Sequence, residues 1–291
     1  MIYILLIFIY TNRRFVNQVF LLAIVFRSVG DILYKYLTVE KKERIAVVTV
    51  NKPEVLNILD TSTVLEIENC FEVLGKDPDV NVIIITGAGE KAFIAGGDIK
   101  EMSVKNPIDG REYGRNGQRC CFAIENCPKP VIAAVNGYAL GGGTELAMAC
   151  DIILASEKAV FGQPEVKLGI TPGFAGTQRM PRIVGWGRGK EYLFSGRNIK
   201  ANEALRIGLA NRVYSPDKLI EGAMKLAEQI AANGQVAVRA CKELINFGMD
   251  NDQNSGLAKE ADAFGVCFST EDQKEGMKAF TEKRQAGFKG K

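Results

Sequence analysis

Asn136-Gly137-Tyr138-Ala139-Leu140-Gly141-Gly142-Gly143-Thr144-Glu145-Leu146 is the stretch on which the fold turns. An apolar run from Pro130 to Val135 stops at Asn136-Gly137, and after three glycines a helix-forming run extends from Gly142 to Cys150. Strand, glycine turn and helix in that order are the working unit of an α/β protein. Glycines ahead of a helix let a ligand come close to the backbone, and the first N–H groups of a helix have no intrahelical acceptor. Two such amides aimed at one carbonyl oxygen would make an oxyanion hole. The same three glycines would also serve a plain tight turn, and spacing alone leaves both readings open.

Outward from that stretch the alternation continues. Arg44 to Val50 is a β-branched strand ended by Asn51-Lys52-Pro53, and Thr61 to Leu74 has helical spacing. Val80 to Thr86 is apolar almost without a break, as a strand buried on both faces requires, and Gly87-Ala88-Gly89 closes it. Gly110 to Glu125 reads as a helix and Ile152 to Ala155 as a strand. Beyond about residue 185 helices take over: Gly189 to Phe194, Ala201 to Ile207, Pro216 to Ala232 with Ser215 as its cap, Gln235 to Gly248, and Thr270 to Lys283 with Thr270 and Gln273 at capping-box spacing. The chain therefore divides into an α/β body over 39–215 and a helical C-terminal module over 216–291. Residues 1–30 form an atypical apolar extension, two short runs split by Arg13-Arg14. Neither run is long enough to span a bilayer, and the extension is expected to stand outside the working protein and to contribute nothing to the active site.

Composition narrows the chemistry. A net charge of +3 gives no reason to expect a nucleic-acid partner, and the basic residues between Arg182 and Arg206 are interspersed with glycines and apolar residues rather than gathered in a stripe. The chain contains no histidine, so proton transfer falls to carboxylates, Lys, Tyr, Cys or water, and imidazole-dependent metal sites are excluded. Seven cysteines without a C-x-x-C read as reduced thiols, which places the protein in the cytoplasm. Nothing in the composition calls for a membrane. The glycine loops do not spell a dinucleotide fingerprint or a P-loop.

Two glutamates remain as acid–base candidates. Glu145 sits inside the apolar run Leu146-Ala147-Met148-Ala149, two residues from the candidate amide donors, and Glu165 follows Phe161-Gly162-Gln163-Pro164 off a short strand. A carboxyl in apolar surroundings has a raised pKa and can work near neutral pH. On residue type alone, two solvated surface glutamates are an equally open reading.

Gly137 to Asp151, Phe161 to Glu165, Gly169 to Arg179, Ala92 to Asp98 and Asn51-Lys52-Pro53 with Asn57 together resemble the signature runs of the crotonase family, as do Ser269 to Gln273 and Phe280 to Arg284. The resemblance runs from about residue 39 to the end and is strongest to bacterial short-chain enoyl-CoA hydratases and 3-hydroxybutyryl-CoA dehydratases. It implies a crotonase-like α/β fold of repeated ββα units with a helical C-terminal oligomerisation module, assembled as a trimer or a dimer of trimers. It further implies reversible hydration of a short trans-2-enoyl thioester of coenzyme A, with no cofactor beyond the coenzyme A of the substrate. The amides of Gly97 and Gly142 would hold the thioester oxygen, Glu145 would activate water and Glu165 would protonate C2. Ala95, Gly97, Asp98, Ile99 and Lys100, with Gly142, would line the substrate site, and Phe264, Phe280 and Lys283 would approach the nucleotide end of coenzyme A, in the same or a neighbouring subunit. Isomerases and thioester hydrolases share the oxyanion hole; the presence of both glutamates favours hydration. Four departures stand out: Gly97 where Ala is common, Thr144 for a frequent Cys, Ala175 for a Gly, and Arg115-Asn116 where aliphatic residues often flank the acyl pocket.

Overall fold

Val-Ile-Ile-Ile-Thr-Gly at 82–87, buried along its whole length, forms strand β7 inside a six-stranded sheet of the computed structural model. The structure describes residues 34–291, together with the backbone of four short strands upstream: β1 (Tyr3–Ile7), which pairs antiparallel with β2 (Leu22–Phe26), and β3 (Ser28–Val29), which pairs with β4 (Ile32–Leu33). The expectation that residues 1–30 keep clear of the active site lies outside the described residues.

The large sheet runs in the order β14 (Arg212–Tyr214), β11 (Ile152–Ser156), β9 (Val131–Val135), β7, β6 (Ile45–Val50), β5 (Leu37–Lys42), all parallel except the β5–β6 hairpin. A second, four-stranded sheet runs β13 (Ile199–Lys200), β12 (Val160–Gly162), β10 (Tyr138–Leu140), β8 (Ala92–Ile94), with only β12 and β13 antiparallel. Strand, strand and helix recur along the body. β5 and β6 lead to α1 (Thr61–Lys76), β7 and β8 to α2 (Ile99–Ser103), β9 and β10 to α4 (Gly142–Ala149), and β11 and β12 to α5 (Gly176–Val184). In the last three units the first strand joins the large sheet and the second joins the small one. The repeat is one of backbone path, which explains why no repeat is visible in the residues.

Alternation along β7 divides the core. Ile83 and Ile85 face the cluster that includes Ile67, Phe71, Leu74 and Ile124, on α1 and α3 (Pro107–Glu125). Val82 and Ile84 face Leu219, Ala223 and Ala227 of α8 (Leu219–Ala231). That helix, inside the stretch assigned to the C-terminal module, covers the outer face of the body's own sheet. The remaining helices are α6 (Trp186–Ser195), α7 (Ala201–Arg206), α9 (Gln235–Asp250), α10 (Gln253–Cys267) and α11 (Glu271–Thr281). Thr270 caps α11 as its spacing predicts, accepting from the N–H of Gln273 at 3.0 Å. Ser215 does not cap: its hydroxyl donates instead to Asp217 Oδ1 at 2.7 Å, and a 3-10 turn at Pro216–Lys218 precedes α8.

The loop between β6 and α1 is held by a buried amide. Asn57 Oδ1 accepts from the N–H of Lys52 at 2.9 Å, while Nδ2 donates to the carbonyls of Ala88 at 3.0 Å and Ala92 at 2.9 Å. Its φ is +57°, a left-handed conformation that asparagine tolerates better than most residues. Asn57→Ala would leave the Lys52 N–H and the Ala88 carbonyl without a partner among the described residues and would leave the Ala92 carbonyl to Asn136 alone, at 3.3 Å; each group left buried and unpaired costs about 1–3 kcal/mol, and the variant would also hold an alanine in a strained conformation. The expected result is a melting temperature lower by roughly 5 °C or more. Melting within about 1 °C of the parent would show that the loop is held by other contacts.

Candidate active site

The two glycine-rich segments meet where the small sheet ends. Leu59 forms an isolated parallel bridge to Gly97: its N–H donates to the carbonyl of Gly96 at 2.8 Å, and its carbonyl accepts from the N–H of Asp98 at 3.0 Å. In such a bridge the flanking residues bond and the central one turns its own N–H the other way. The Gly97 N–H accordingly has no backbone acceptor among the described residues and faces a cavity of about 830 Å³. Gly142 opens α4, so its N–H has no intrahelical partner, and it lines the same cavity. The chain reaches this arrangement through close backbone approaches. A Cβ at Gly143 would stand 2.0 Å from the carbonyl oxygen of Ile94 on β8, and Gly141, at φ +50°, passes so close to Glu165 that a Cβ would lie 2.9 Å from its Oε1.

Every residue of α4 is buried, Glu145 included at 1% exposure. Its Oε1 accepts from the N–H of Phe174 at 2.8 Å and of Gly176 at 2.6 Å. Burial, and then the charge of Glu165, push the Glu145 carboxyl well above the usual carboxylate range; the two N–H groups and Arg179 pull it back. Glu165 opens a 3-10 turn at Glu165–Leu168, and burial raises it to about 7. Its Oε2 is buried without a hydrogen-bond partner among the described residues. With both carboxyls raised by burial and the charge of Glu165 opposing that of Glu145, the pair disfavours double ionisation. The bonding separates the two. Glu145, held by two N–H donors, suits the ionised form, and Glu165, with an unbonded oxygen, suits the protonated one.

Ala95, Gly97, Asp98, Ile99, Lys100, Gly142, Glu145 and Glu165 all line the one cavity. Asp98 also caps α2, accepting from Lys100 and Glu101 N–H groups, and Ile99 and Lys100 lie exposed at the mouth. Phe264, Phe280 and Lys283 do not line it; Phe264 on α10 and Phe280 on α11 are 67% and 85% exposed. Arg115 points to solvent and Asn116 bonds Arg119, so neither enters the cavity. The apolar wall comes from Val55, Leu56, Ile58, Met102, Leu168 and Ile170, with Tyr113 and Phe174 in contact at 5.5 Å between ring centres.

The profile of the family described as enoyl-CoA hydratase/isomerase matches residues 40–291. This chain belongs to that family. It is 53% identical over 253 residues to the short-chain-enoyl-CoA hydratase of Clostridium acetobutylicum, covering 87% of this chain and 97% of the relative. It is 51% identical over 255 residues to the crotonyl-CoA hydratase of Syntrophomonas wolfei, covering 88% and 98%. Among solved structures, the enoyl-CoA hydratase of Bacillus anthracis superposes with a TM-score of 0.86 at 40% identity, over 88% of this chain and all of that one.

Against the family pattern, the departures acquire physical content. A Cβ on Gly97 would lie 2.6 Å from the hydroxyl of Tyr113, which itself donates to the carbonyl of Leu59 at 2.7 Å, so glycine here and tyrosine there go together. The Thr144 hydroxyl lies within bonding reach of the carbonyls of Ala139 and Gly162 and accepts from the N–H of Gly162, which ties α4 to both neighbouring strands. Ala175 does sit at positive φ, +84°. Tyr113, Phe174, Gly176 and Arg179 were not singled out from the sequence. Nothing in an isolated Phe-Ala-Gly announces that its amides will bind a glutamate 29 residues upstream.

The raised pKa of Glu165 makes a stability prediction. The folded protein holds its proton more tightly than the unfolded chain, so its contribution is most favourable below about 4.5 and is lost as pH rises toward about 7. Glu165→Gln removes that loss. The variant should melt with the parent near pH 4.5 and above it by a few degrees at pH 8. A difference independent of pH would mean that the carboxylate is solvated.

Proposed function

We propose that this chain, an enoyl-CoA hydratase and so a hydro-lyase, carries out reversible hydration of a short trans-2-enoyl thioester such as crotonyl-CoA with Glu145, Glu165 and the amides of Gly97 and Gly142. The observation that carries the reading is the pairing, in one cavity, of two unengaged backbone N–H groups with two buried carboxyls in opposite bonding states. The thioester oxygen sits between the Gly97 and Gly142 amides. Ionised Glu145 takes a proton from water as the water oxygen adds to C3. The electron pair of the double bond moves to the thioester oxygen as an enolate, where the two amides stabilise the new charge. Protonated Glu165 then gives its proton to C2. The reverse sequence dehydrates the 3-hydroxyacyl thioester. An isomerase or hydrolase reading is less well supported, because neither reaction calls for two carboxyls.

Two related readings go with this one. We infer a homo-oligomer, a trimer or a dimer of trimers, because no residue of the fifteen-residue α10 is buried within the chain and Phe264 and Val266 on it, with Met277 and Phe280 on α11, stand exposed. In that assembly Phe264, Phe280 and Lys283 would meet the nucleotide end of coenzyme A in a neighbouring subunit. The free cysteines, five of them buried, support a reducing cytoplasm, and no helix among the described residues is long and apolar enough to cross a membrane.

Loss of the conjugated enoyl-thioester absorbance on mixing crotonyl-CoA with the protein tests the function. Glu145→Gln and Glu165→Gln should each fold and retain thioester binding yet lose turnover by on the order of 10²-fold or more. Near-parental turnover in either variant would remove that residue from the mechanism. Light scattering at micromolar concentration should report three or six subunits, and a monomer would contradict the assembly.

A further inference from the structure

Arg179 is a cation 9% exposed, on α5 behind the active site. Its Nη1 donates to the carbonyl of Phe174 at 3.1 Å and its Nη2 to Glu125 Oε2 at 2.6 Å, while its Nε is buried with no hydrogen-bond partner among the described residues. Its salt-bridge partner lies at the solvent edge, with the Glu125 side chain 36% exposed. Burying one end of an ion pair so deeply is a poor route to stability.

The cradle of Glu145 explains the position. Three successive peptides run through Phe174-Ala175-Gly176. The outer two turn their N–H groups to Glu145 Oε1, and the carbonyl of the middle one turns the opposite way, onto the guanidinium. Ala175 at the centre holds φ +84° without the freedom that glycine would have there. A flip of the middle peptide would scatter both donors, and the bond from Arg179 opposes it.

We infer that Arg179 is a positioning residue for Glu145: its guanidinium locks the three-peptide cradle, and its charge, held out of water, keeps that carboxyl ionised for its work as base. The inference rests on the assignment of Glu145 as the base. The other titratable groups facing Glu145 are Glu165, from the 3-10 turn, which opposes the ionised form, and Cys121, from α3, whose thiol burial pushes up to about 12 and which is therefore neutral at working pH. Arg179 is thus the cation set against Glu165 for control of the Glu145 proton. Glu125 closes the chain of contacts on the far side, where its backbone carbonyl accepts from Asn246 of α9 at 3.1 Å.

The test is the pH dependence of crotonyl-CoA hydration by Arg179→Met and Arg179→Lys. Arg179→Met should lower kcat at pH 7 by about tenfold or more with KM within about threefold, and should move the acidic limb of the kcat profile up by about one pH unit. Arg179→Lys keeps a charge but not the planar fork, so its limb should stay near the parent's while kcat drops. A folded Arg179→Met with the parental limb overturns the inference, whatever its rate. If that variant does not fold, Glu125→Ala decides: loosening the guanidinium should cost kcat threefold or more at constant KM, and parental kcat overturns the inference. Failure of the underlying assignment would look different, as parental turnover by Glu145→Gln or none by the parent.

Discussion

The structure depends on keeping a carboxylate inside a helix that has no exposed side. An ionised group without partners in such a place costs far more than a domain's net stability. Glu145 is tolerated because two backbone N–H groups bond it and the charge of the buried Arg179 guanidinium acts on it from behind them, and those partners come from a segment about thirty residues away. To bring that segment in, the chain must cross from β12 through the 3-10 turn of Glu165 and start α5 against α4. The same crossing places the second carboxyl beside the first. The two carboxyls proposed as catalytic are therefore not independent placements; one backbone path delivers both.

The side proposed to hold the thioester oxygen is built by the complementary device. Leu59 bonds the residues on either side of Gly97 and leaves the Gly97 N–H without a backbone acceptor among the described residues, and α4 begins at Gly142, whose N–H has no intrahelical partner. Each free donor is a by-product of ordinary secondary structure, a strand bridge in one case and a helix start in the other. Asn57 and Tyr113 hold the loop that makes the bridge, the first through its amide and the second through its hydroxyl on the Leu59 carbonyl. Cavity, donors and acids thus share one framework, in keeping with 53% identity to a hydratase over nearly the full length.

Much of this was legible in the residues, and the exceptions have physical causes. The apolar run at 80–86 announces a doubly buried strand, which the structure forms over Val82–Gly87, and the glycine loops announce close backbone approaches, because both signals are local. Strand β5 leaves little trace in the sequence because it is a six-residue edge whose alternation, Leu37 and Val39 against Thr38 and Glu40, is too brief to stand out. Helix α3 starts at Pro107, three residues before the expected Gly110, and Asn106 caps it by accepting from Ile108 and Asp109. Helix α10 is hard to read from Gln253 to Cys267 because the stretch shows no apolar stripe of its own; none of its residues is buried in this chain, so no internal core shaped its pattern. In the site, the glutamates and glycines could be named from type and spacing. Their partners could not, since Phe174 and Gly176 act through backbone amides, and a backbone amide leaves no mark on residue identity.

The cradle has one more consequence. Both N–H bonds fall on the same oxygen of Glu145, so the two oxygens of that carboxylate are not interchangeable. The position of Oε1 is structural and that of Oε2 chemical, and rotation of the carboxylate must break both hydrogen bonds. Replacement by an amide would inherit this asymmetry. Its oxygen must take the place of Oε1, because only an acceptor fits against two donors, and its NH2 must then occupy the site of Oε2. The substitution that looks most conservative would therefore invert polarity at the cavity surface, offering a hydrogen where the native side chain offers a lone pair. A water held there would be turned around, with its oxygen toward the protein and its hydrogens toward the substrate carbon.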